Sequence, residues 1–318
     1  MTTTLFIETD IHDDVDDVGA LAVAHALSQT GRVRLGGVNV NTRSMWGPRL
    51  VAAINDYYGR PVPVGALQPP TETLGSQEFV RGTTRLFGWD RPVPTADPVR
   101  LLRSVLAAAG PSEVTVASLG FFDNLVGLLR SGPDELSPLS GRDLVRRSVE
   151  RIVVMGGAFG GARPPGPGGG EYNFAEDPAL TAEFLGAWPG RIDFVGWEAG
   201  HDVISGRRIL ESHGRESPVA TAYQLHSGFG NGRPSWDPIA VLLAVDPAWS
   251  AFAWSETGLV SVDAEAASSW APDPGGSHRY AVRTAPAIDV ADTIDDWLCR
   301  PSDTATGADR LRADATSA

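Results

Sequence analysis

Leu5-Phe6-Ile7-Glu8-Thr9-Asp10-Ile11-His12-Asp13-Asp14-Val15-Asp16-Asp17 is the stretch from which the fold is read. Its apolar start, Leu5 to Ile7, suits a buried strand. Beyond it, Val18-Gly19-Ala20-Leu21-Ala22-Val23-Ala24-His25-Ala26-Leu27 has the Ala/Leu composition of a helix. Between the two, six acidic residues crowd the ten positions from Glu8 to Asp17. Carboxylates packed at the end of a strand repel one another and raise one another's pKa. A hard cation removes that penalty, and carboxylate oxygens are the ligands calcium and magnesium prefer. Asp16 and Asp17 fall where the helix begins, so its dipole helps to hold them. Capping and solvation explain one or two such acids. They do not explain a whole run between a buried strand and an apolar helix, so Asp10 and Asp17 are assigned to a metal or to catalysis.

Working outward, strand and helix patterns alternate. Strands are expected at 34–41, 63–65, 114–119, 149–155 and 192–195, and helices at 46–58, 97–109, 124–130 and 178–188. This is the signature of an α/β protein with a mostly parallel central sheet flanked by helices. Ligands in such sheets bind beyond the C-terminal strand ends, where the acidic run, Asn41, Leu119 and Met155 all fall. Gln68 to Asp97 and the Gly/Pro-rich 160–170 read as loops. Past Val245, strands are expected at 254–262 and 278–282 and a helix at 290–298. Residues 1–300 are expected to form one domain, and 301–318 a flexible tail.

Composition narrows the function. The chain has 318 residues, 42% hydrophobic and 20% charged, with a net charge of −13. That acidity argues against a nucleic-acid polymer or an anionic membrane as partner, but not against a small neutral molecule. The single Cys299 leaves no disulfide framework or cysteine zinc site. No apolar run reaches the length of a membrane span, and Met1 to Thr4 lack the features of a signal segment. A cytoplasmic protein is the expectation.

Four further segments carry chemistry. They are Val38-Asn39-Val40-Asn41-Thr42, Val116 to Leu125, Val153-Val154-Met155-Gly156-Gly157 with Glu171-Tyr172-Asn173-Phe174, and Pro234-Ser235-Trp236-Asp237-Pro238. Taken singly they read as a turn-forming Asn, a strand-turn-helix, a core Met with loop residues, and an Asp N-cap followed by Pro at N1. Taken in order behind the acidic run, they resemble the inosine-uridine-preferring nucleoside hydrolase family, in its longer-loop Asp-Val-Asp-Asp form. The resemblance runs from about Leu5 to Val245.

It implies a Rossmann-like topology and calcium-dependent hydrolysis of the N-glycosidic bond of a ribonucleoside, giving ribose and free base. It implies Asp10 as general base, and Asp10, Asp17, the backbone carbonyl of Leu119 and Asp237 as calcium ligands. Asp16, Asn41, Glu171 and Asn173 would take the ribose, with Met155 beneath it; Trp236, whose indole can stack on a nucleobase or pack as core, is the candidate for the base. Family members are often dimers or tetramers. Four departures stand out: Glu8 replaces the usual Asp, His12 the usual Gly, and a Gly/Pro insert a short sugar-binding segment. Trp236 stands where much of the family has a His that protonates the leaving base, and indole cannot deliver that proton at neutral pH. His226, upstream, reads as a surface residue able to swing in. The alternatives are a hydrolase of a modified nucleoside or other ribosyl compound, and a non-catalytic calcium-containing nucleoside or sugar binder. An Asp-x-Asp phosphatase would want a downstream lysine, whereas basic charge here is carried by Arg throughout.

Overall fold

The structure, a computed structural model, describes residues 2–12, 14–70, 78–165, 169–213 and 216–303. In chain order the elements are β1 (Thr4–Thr9), α1 (Asp16–Gln29), β2 (Arg34–Val40), α2 (Gly47–Tyr57), β3 (Val64–Ala66), α3 (Glu78–Leu86), α4 (Pro98–Ala108), β4 (Val114–Ser118), α5 (Asp123–Arg130), α6 (Gly141–Ser148) and β5 (Val149–Met155). They continue with α7 (Tyr172–Glu176), α8 (Pro178–Ala187), β6 (Ile192–Val195), α9 (Trp197–Gly200), β7 (Ile204–Ser205), α10 (Ile209–His213), α11 (Pro218–Ser227), β8 (Arg233–Pro234), α12 (Asp237–Val245), β9 (Phe252–Trp254), β10 (Gly258–Val262), β11 (Ser268–Pro272), β12 (His278–Arg283) and α13 (Ala287–Leu298).

The main sheet runs β11-β10-β12-β6-β5-β4-β1-β2-β3, with β9 pairing β12. Pairing is parallel from β12 through β6, β5, β4, β1 and β2 to β3, and antiparallel where β9, β10 and β11 join. A mostly parallel sheet must be covered on both faces, and β1 shows how its residues serve both. Leu5 and Ile7 join one hydrophobic cluster with the apolar residues of α1, α11, α12 and α13. Phe6 joins the other, with α4, α5, α6 and α8. Successive side chains of a strand point to opposite faces, so Glu8 and Thr9 are also sent to opposite sides. Registers Thr9 with Val40, Glu8 with Ser118 and Ser118 with Val154 align the C-terminal ends of β1, β2, β4 and β5.

The expected fold is the observed one. Several local readings differ. Within the stretch 68–97 read as a loop, 78–86 is the helix α3, which buries Phe79, Val80, Thr83 and Thr84. Its apolar stripe is only two hydrophobic residues wide, and the helix is amphipathic through its threonines. Residues 71–77 of that stretch, 166–168 of the Gly/Pro run and 304–318 of the tail lie outside the described residues. The strand expected at 254–262 is two: β9 and β10 engage different parts of β12, separated by a turn in which Ser255 N–H donates to the Tyr280 carbonyl. At the start of the expected tail, Ser302 is buried and its hydroxyl donates to the Tyr57 carbonyl. Among the described residues no helix is long and apolar enough to cross a membrane.

Inside α1, His25 is completely buried and stacks on Tyr58, with centroids 4.8 Å apart. Its Nε2 lies 2.9 Å from Asn55 Oδ1, while Nδ1 is buried with no partner. Asn55 Nδ2 donates to the Val62 carbonyl, so Oδ1 is the acceptor and His25 carries its proton on Nε2. Burial pushes its pKa down to about 4. A second proton would sit on Nδ1 with nothing to receive it. The unfolded chain takes that proton near pH 6.5, so stability is complete above about pH 6.5 and is lost as pH falls toward 4. By this linkage His25 costs roughly 2 kcal/mol at about pH 5. His25→Gln, which keeps a donor to Asn55, is expected to show a smaller fall in melting temperature from neutral to mildly acidic pH than the parent.

Candidate active site

The site is assembled from the two aligned ends of the sheet and from the start of α12. Asp10 follows β1 directly, and the Leu119-Gly120 backbone follows β4. A Cβ at Gly120 would stand 2.6 Å from Asp10 Cβ and Oδ1, so only glycine lets this turn close on the carboxylate. Asp17 sits in the first turn of α1, where Thr9 Oγ1 donates to its Oδ1. Asp237 opens α12, with Pro238 behind it. α1 and α12 pack closely because α1 is built of small residues. At Gly19 a Cβ would lie 2.4 Å from Tyr223 Oη of α11, and at ordinary contact distance, 3.4 Å, from Pro238 Cγ of α12. That approach carries Asp237 across more than 200 sequence positions to Asp10 and Asp17.

Asp10, Asp17 and Asp237 each offer a carboxylate oxygen, and the three oxygens lie within 4.8 Å of one another. All three residues are buried. Burial, then the neighbouring Asp10 and Asp16, hold the Asp17 carboxyl well above the usual range. Burial, then Asp16, Asp17 and Asp10, do the same for Asp237. This fits a divalent cation: hard oxygen donors, at bonding separation, with a repulsion that positive charge would relieve. Leu119 lines the same cavity, and its carbonyl accepts from Asn173 Nδ2 at 2.9 Å.

These groups form part of the wall of a cavity of about 550 Å³. Asp16 is 3% exposed, and its Oδ2 accepts from the backbone N–H of Trp236 at 3.0 Å and of Asp237 at 3.2 Å. Burial and then Asp14 push its pKa up to about 8, against those two donors and Arg233. Glu171 caps α7, accepting from the N–H of Gly157, Asn173 and Phe174. Burial still raises it to about 7. Asn173 Nδ2 ties together the carbonyls of Leu119 and Met155 and the Met155 sulfur. Trp236 lines the cavity with its Nε1–H donated to the Trp197 carbonyl at 2.7 Å.

Of the residues singled out from the sequence, Asp10, Asp16, Asp17, Leu119, Met155, Glu171, Asn173, Trp236 and Asp237 all line this one cavity. Asn41 does not. It is buried, and its Nδ2 donates to the Phe121 carbonyl, tying the end of β2 to the turn after β4. Glu8 also stands apart. It points to the opposite face of β1, where Asn39 and Asn124 donate to its two oxygens and burial raises its pKa to about 8. His12 is buried and outside the lining. His226 is packed rather than on the surface: its ring edge meets Phe79 at 5.1 Å and its Nε2 lies 3.9 Å from Asp14 Oδ1.

The sequence reading gave no role to Asp14, Arg233, Trp197 or Tyr172, all of which line the cavity. Asp14 was one acid among six. Arg233 donates to it from Nε at 2.9 and 3.0 Å, a pairing over 219 positions that no spacing signals.

A family model described as inosine-uridine preferring nucleoside hydrolase matches residues 5–296. No curated protein matches the chain. Among solved structures, a plant nucleoside hydrolase superposes with a TM-score of 0.68 at 20% identity, covering 95% of this chain and all of that one. An inosine-uridine preferring nucleoside hydrolase from Bacillus anthracis gives 0.65 at 16% identity, covering 94% of this chain and 98% of that one. The type III effector protein XopQ, solved with adenosine diphosphate ribose, gives 0.69 at 17%, covering 94% of this chain and 93% of that one.

A cation in the aspartate cluster stabilises the folded state by mass action, about 2.7 kcal/mol at a hundredfold excess over Kd. Adding a divalent cation to chelator-treated protein is therefore expected to raise the melting temperature by several degrees. In Asp17→Asn and Asp237→Asn that rise should shrink or vanish at the same concentration, as read by differential scanning fluorimetry.

Proposed function

Since the chain belongs to the inosine-uridine preferring nucleoside hydrolase family, whose members cleave N-glycosidic bonds, we propose that it hydrolyses a ribonucleoside to ribose and free base with calcium as cofactor. The observation that carries this is the meeting of Asp10, Asp17 and Asp237 in one cavity with Asp16, Met155, Glu171 and Asn173. Three buried carboxylates and a backbone carbonyl suit calcium, which takes oxygen ligands in flexible geometry. Bound there, the cation supplies a positive charge that orients a water molecule and lowers its pKa.

The residues do the rest. Asp10 takes the proton of the attacking water. Asp16, fixed through Oδ2 by two backbone N–H groups, turns its other oxygen to a ribose hydroxyl. Glu171 and Asn173, already immobilised by the chain around them, offer further acceptors, and Met155 packs under the ring. Sugar hydroxyls held this rigidly favour the geometry in which the anomeric carbon gains oxocarbenium character as the C–N bond breaks. Trp236, locked by its bond to Trp197, offers a flat face to the base.

The reading implies a cytoplasmic salvage enzyme for purines or pyrimidines. A dimer or tetramer is the assembly expected from the family, to be checked by light scattering. A second reading, a ribosyl compound other than a common nucleoside, is favoured by Trp236 in the usual place of the proton-donating His. XopQ, of the same fold, was solved with such a compound.

A panel of nucleosides, assayed for free base with and without chelator, tests the proposal. Release is expected in calcium and loss of release in chelator, restored by calcium. Asp10→Ala is expected to lower turnover by about a thousandfold or more with unchanged circular dichroism. Wild-type rates in that variant would remove Asp10 from the mechanism.

A further inference from the structure

The chain after β5 leaves Met155, contributes Pro164, Pro165 and Gly170 to the cavity wall, and returns at Glu171. A Gly/Pro-rich segment of this kind has no regular ladder to hold it. At its base Glu171 accepts from the Gly157 N–H at 3.0 Å, which closes the loop on itself. The same carboxylate accepts from the N–H groups of Asn173 and Phe174, so its placing also sets the start of α7.

A second element meets that base from about a hundred residues further along the chain. β10 and β11 form an antiparallel hairpin at one end of the sheet. β10 is registered on β12 through Gly258 and His278, and Val260 is buried in the cluster that holds Phe184 and Leu185 of α8. The turn between the two strands is tied by Asp263, whose Oδ1 accepts from the N–H of Glu265 at 3.0 Å and of Ala267 at 2.8 Å. Ala266 lies in that turn with φ of 65° and is 2% exposed.

The hairpin touches the loop on both sides of its closure. Beside Gly157, Ser268 Oγ accepts from the Ala158 N–H at 2.8 Å and donates to the Ala158 carbonyl at 2.9 Å. One hydroxyl thus satisfies both main-chain groups of a residue that no strand pairs. Beside Glu171, Gly170 packs on Ala266. A Cβ at Gly170 would stand 2.7 Å from the Ala266 Cβ, so the approach needs glycine. The next ring behind belongs to Phe159, stacked on Tyr280 at 4.8 Å, and Tyr280 meets Trp270 of β11 edge-on at 5.1 Å.

Resting on the hydrolase reading above, we infer that the β10–β11 hairpin is a clamp on the sugar side of the active site, with Ser268 and Ala266 as positioning residues that act through Glu171. Neither lines the cavity. They hold the two ends of the Gly157–Glu171 hydrogen bond, so the carboxylate is fixed before a ribose hydroxyl reaches it. A group set in advance binds without a further loss of side-chain freedom.

The test uses Ser268→Ala in the calcium-loaded enzyme, with inosine and uridine as substrates. KM is expected to rise about tenfold, and kcat to change by less than about threefold. Ser268→Thr keeps a hydroxyl and should restore KM. Gly170→Ala pushes Ala266 away and should raise KM as well, and the double variant should fall short of the product of the two single effects. Hydrogen exchange followed by NMR reads the same geometry without turnover. The Gly157 and Asn173 amides, both donated to Glu171, should exchange about tenfold faster in Ser268→Ala, with the α12 amides unchanged. Unchanged exchange at Gly157, or an active enzyme whose KM stays at the parent value, overturns the clamp whatever the melting temperature does. Faster exchange in a protein whose parent releases no base from either nucleoside keeps the clamp and overturns the hydrolase reading.

Discussion

The structure depends on burying three like charges together. Asp10, Asp17 and Asp237 are each almost inaccessible to water, and each makes ionisation of the others harder. A protein tolerates such a cluster only when something returns the energy. Part of that return is built into the chain. The Thr9 hydroxyl donates to Asp17, and the start of α1 places its dipole behind Asp16 and Asp17. The remainder is what a bound cation could supply. The tight α1–α12 contact and the close turn at Gly120 are consequences: they hold the carboxylates nearer together than they would stand unaided.

Around that cluster, the sheet separates two kinds of acid by the alternation of a single strand. Thr9 reaches the face where α1 begins and braces Asp17. Glu8, one residue earlier, is turned to the other face and clamped by Asn39 from β2 and Asn124 from α5. Its backbone carbonyl also receives the Leu119 N–H. Glu8 thereby joins β1, β2 and the turn after β4 below the site. The extra methylene relative to an aspartate serves this span between two amides and does not reach the aspartate cluster. Asn41 does a similar job from β2, through the Phe121 carbonyl. The buried polar groups just beneath the cavity, Glu8 and Asn41, are thus cross-braces, while a separate set, Asp10, Asp16, Asp17, Glu171 and Asp237, lines it.

Much of the fold was legible because its signals are local. Alternating strand and helix patterns, the Pro residues at the first turns of α4, α8 and α12, and the Gly at the end of α2 can each be read within a few residues. α3 was missed because its buried face is made largely of Thr83 and Thr84, which the eye counts as polar. The division of 254–262 was missed because a strand that changes partner keeps the same alternation. In the site, Asp10 and Asp17 stood out by crowding alone. Arg233 and Asp14 did not, since each has an ordinary surface reading until they are seen facing one another.

The sequence by itself determined the class of fold and the chemistry available. An acidic run between an apolar strand and an Ala-rich helix offers the oxygen donors a hard cation takes, and periodicity places it at the end of a parallel sheet. Tertiary structure alone decided which acids face the cavity and which become braces, that Asp237 completes the cluster, and that Trp236 and Trp197 share a wall with Asp14 and Arg233. The physical reason is range. Periodicity and capping act over a few residues, whereas the meeting of α1 with α12 is set by packing small side chains across the whole core, and no short stretch of the chain contains that information.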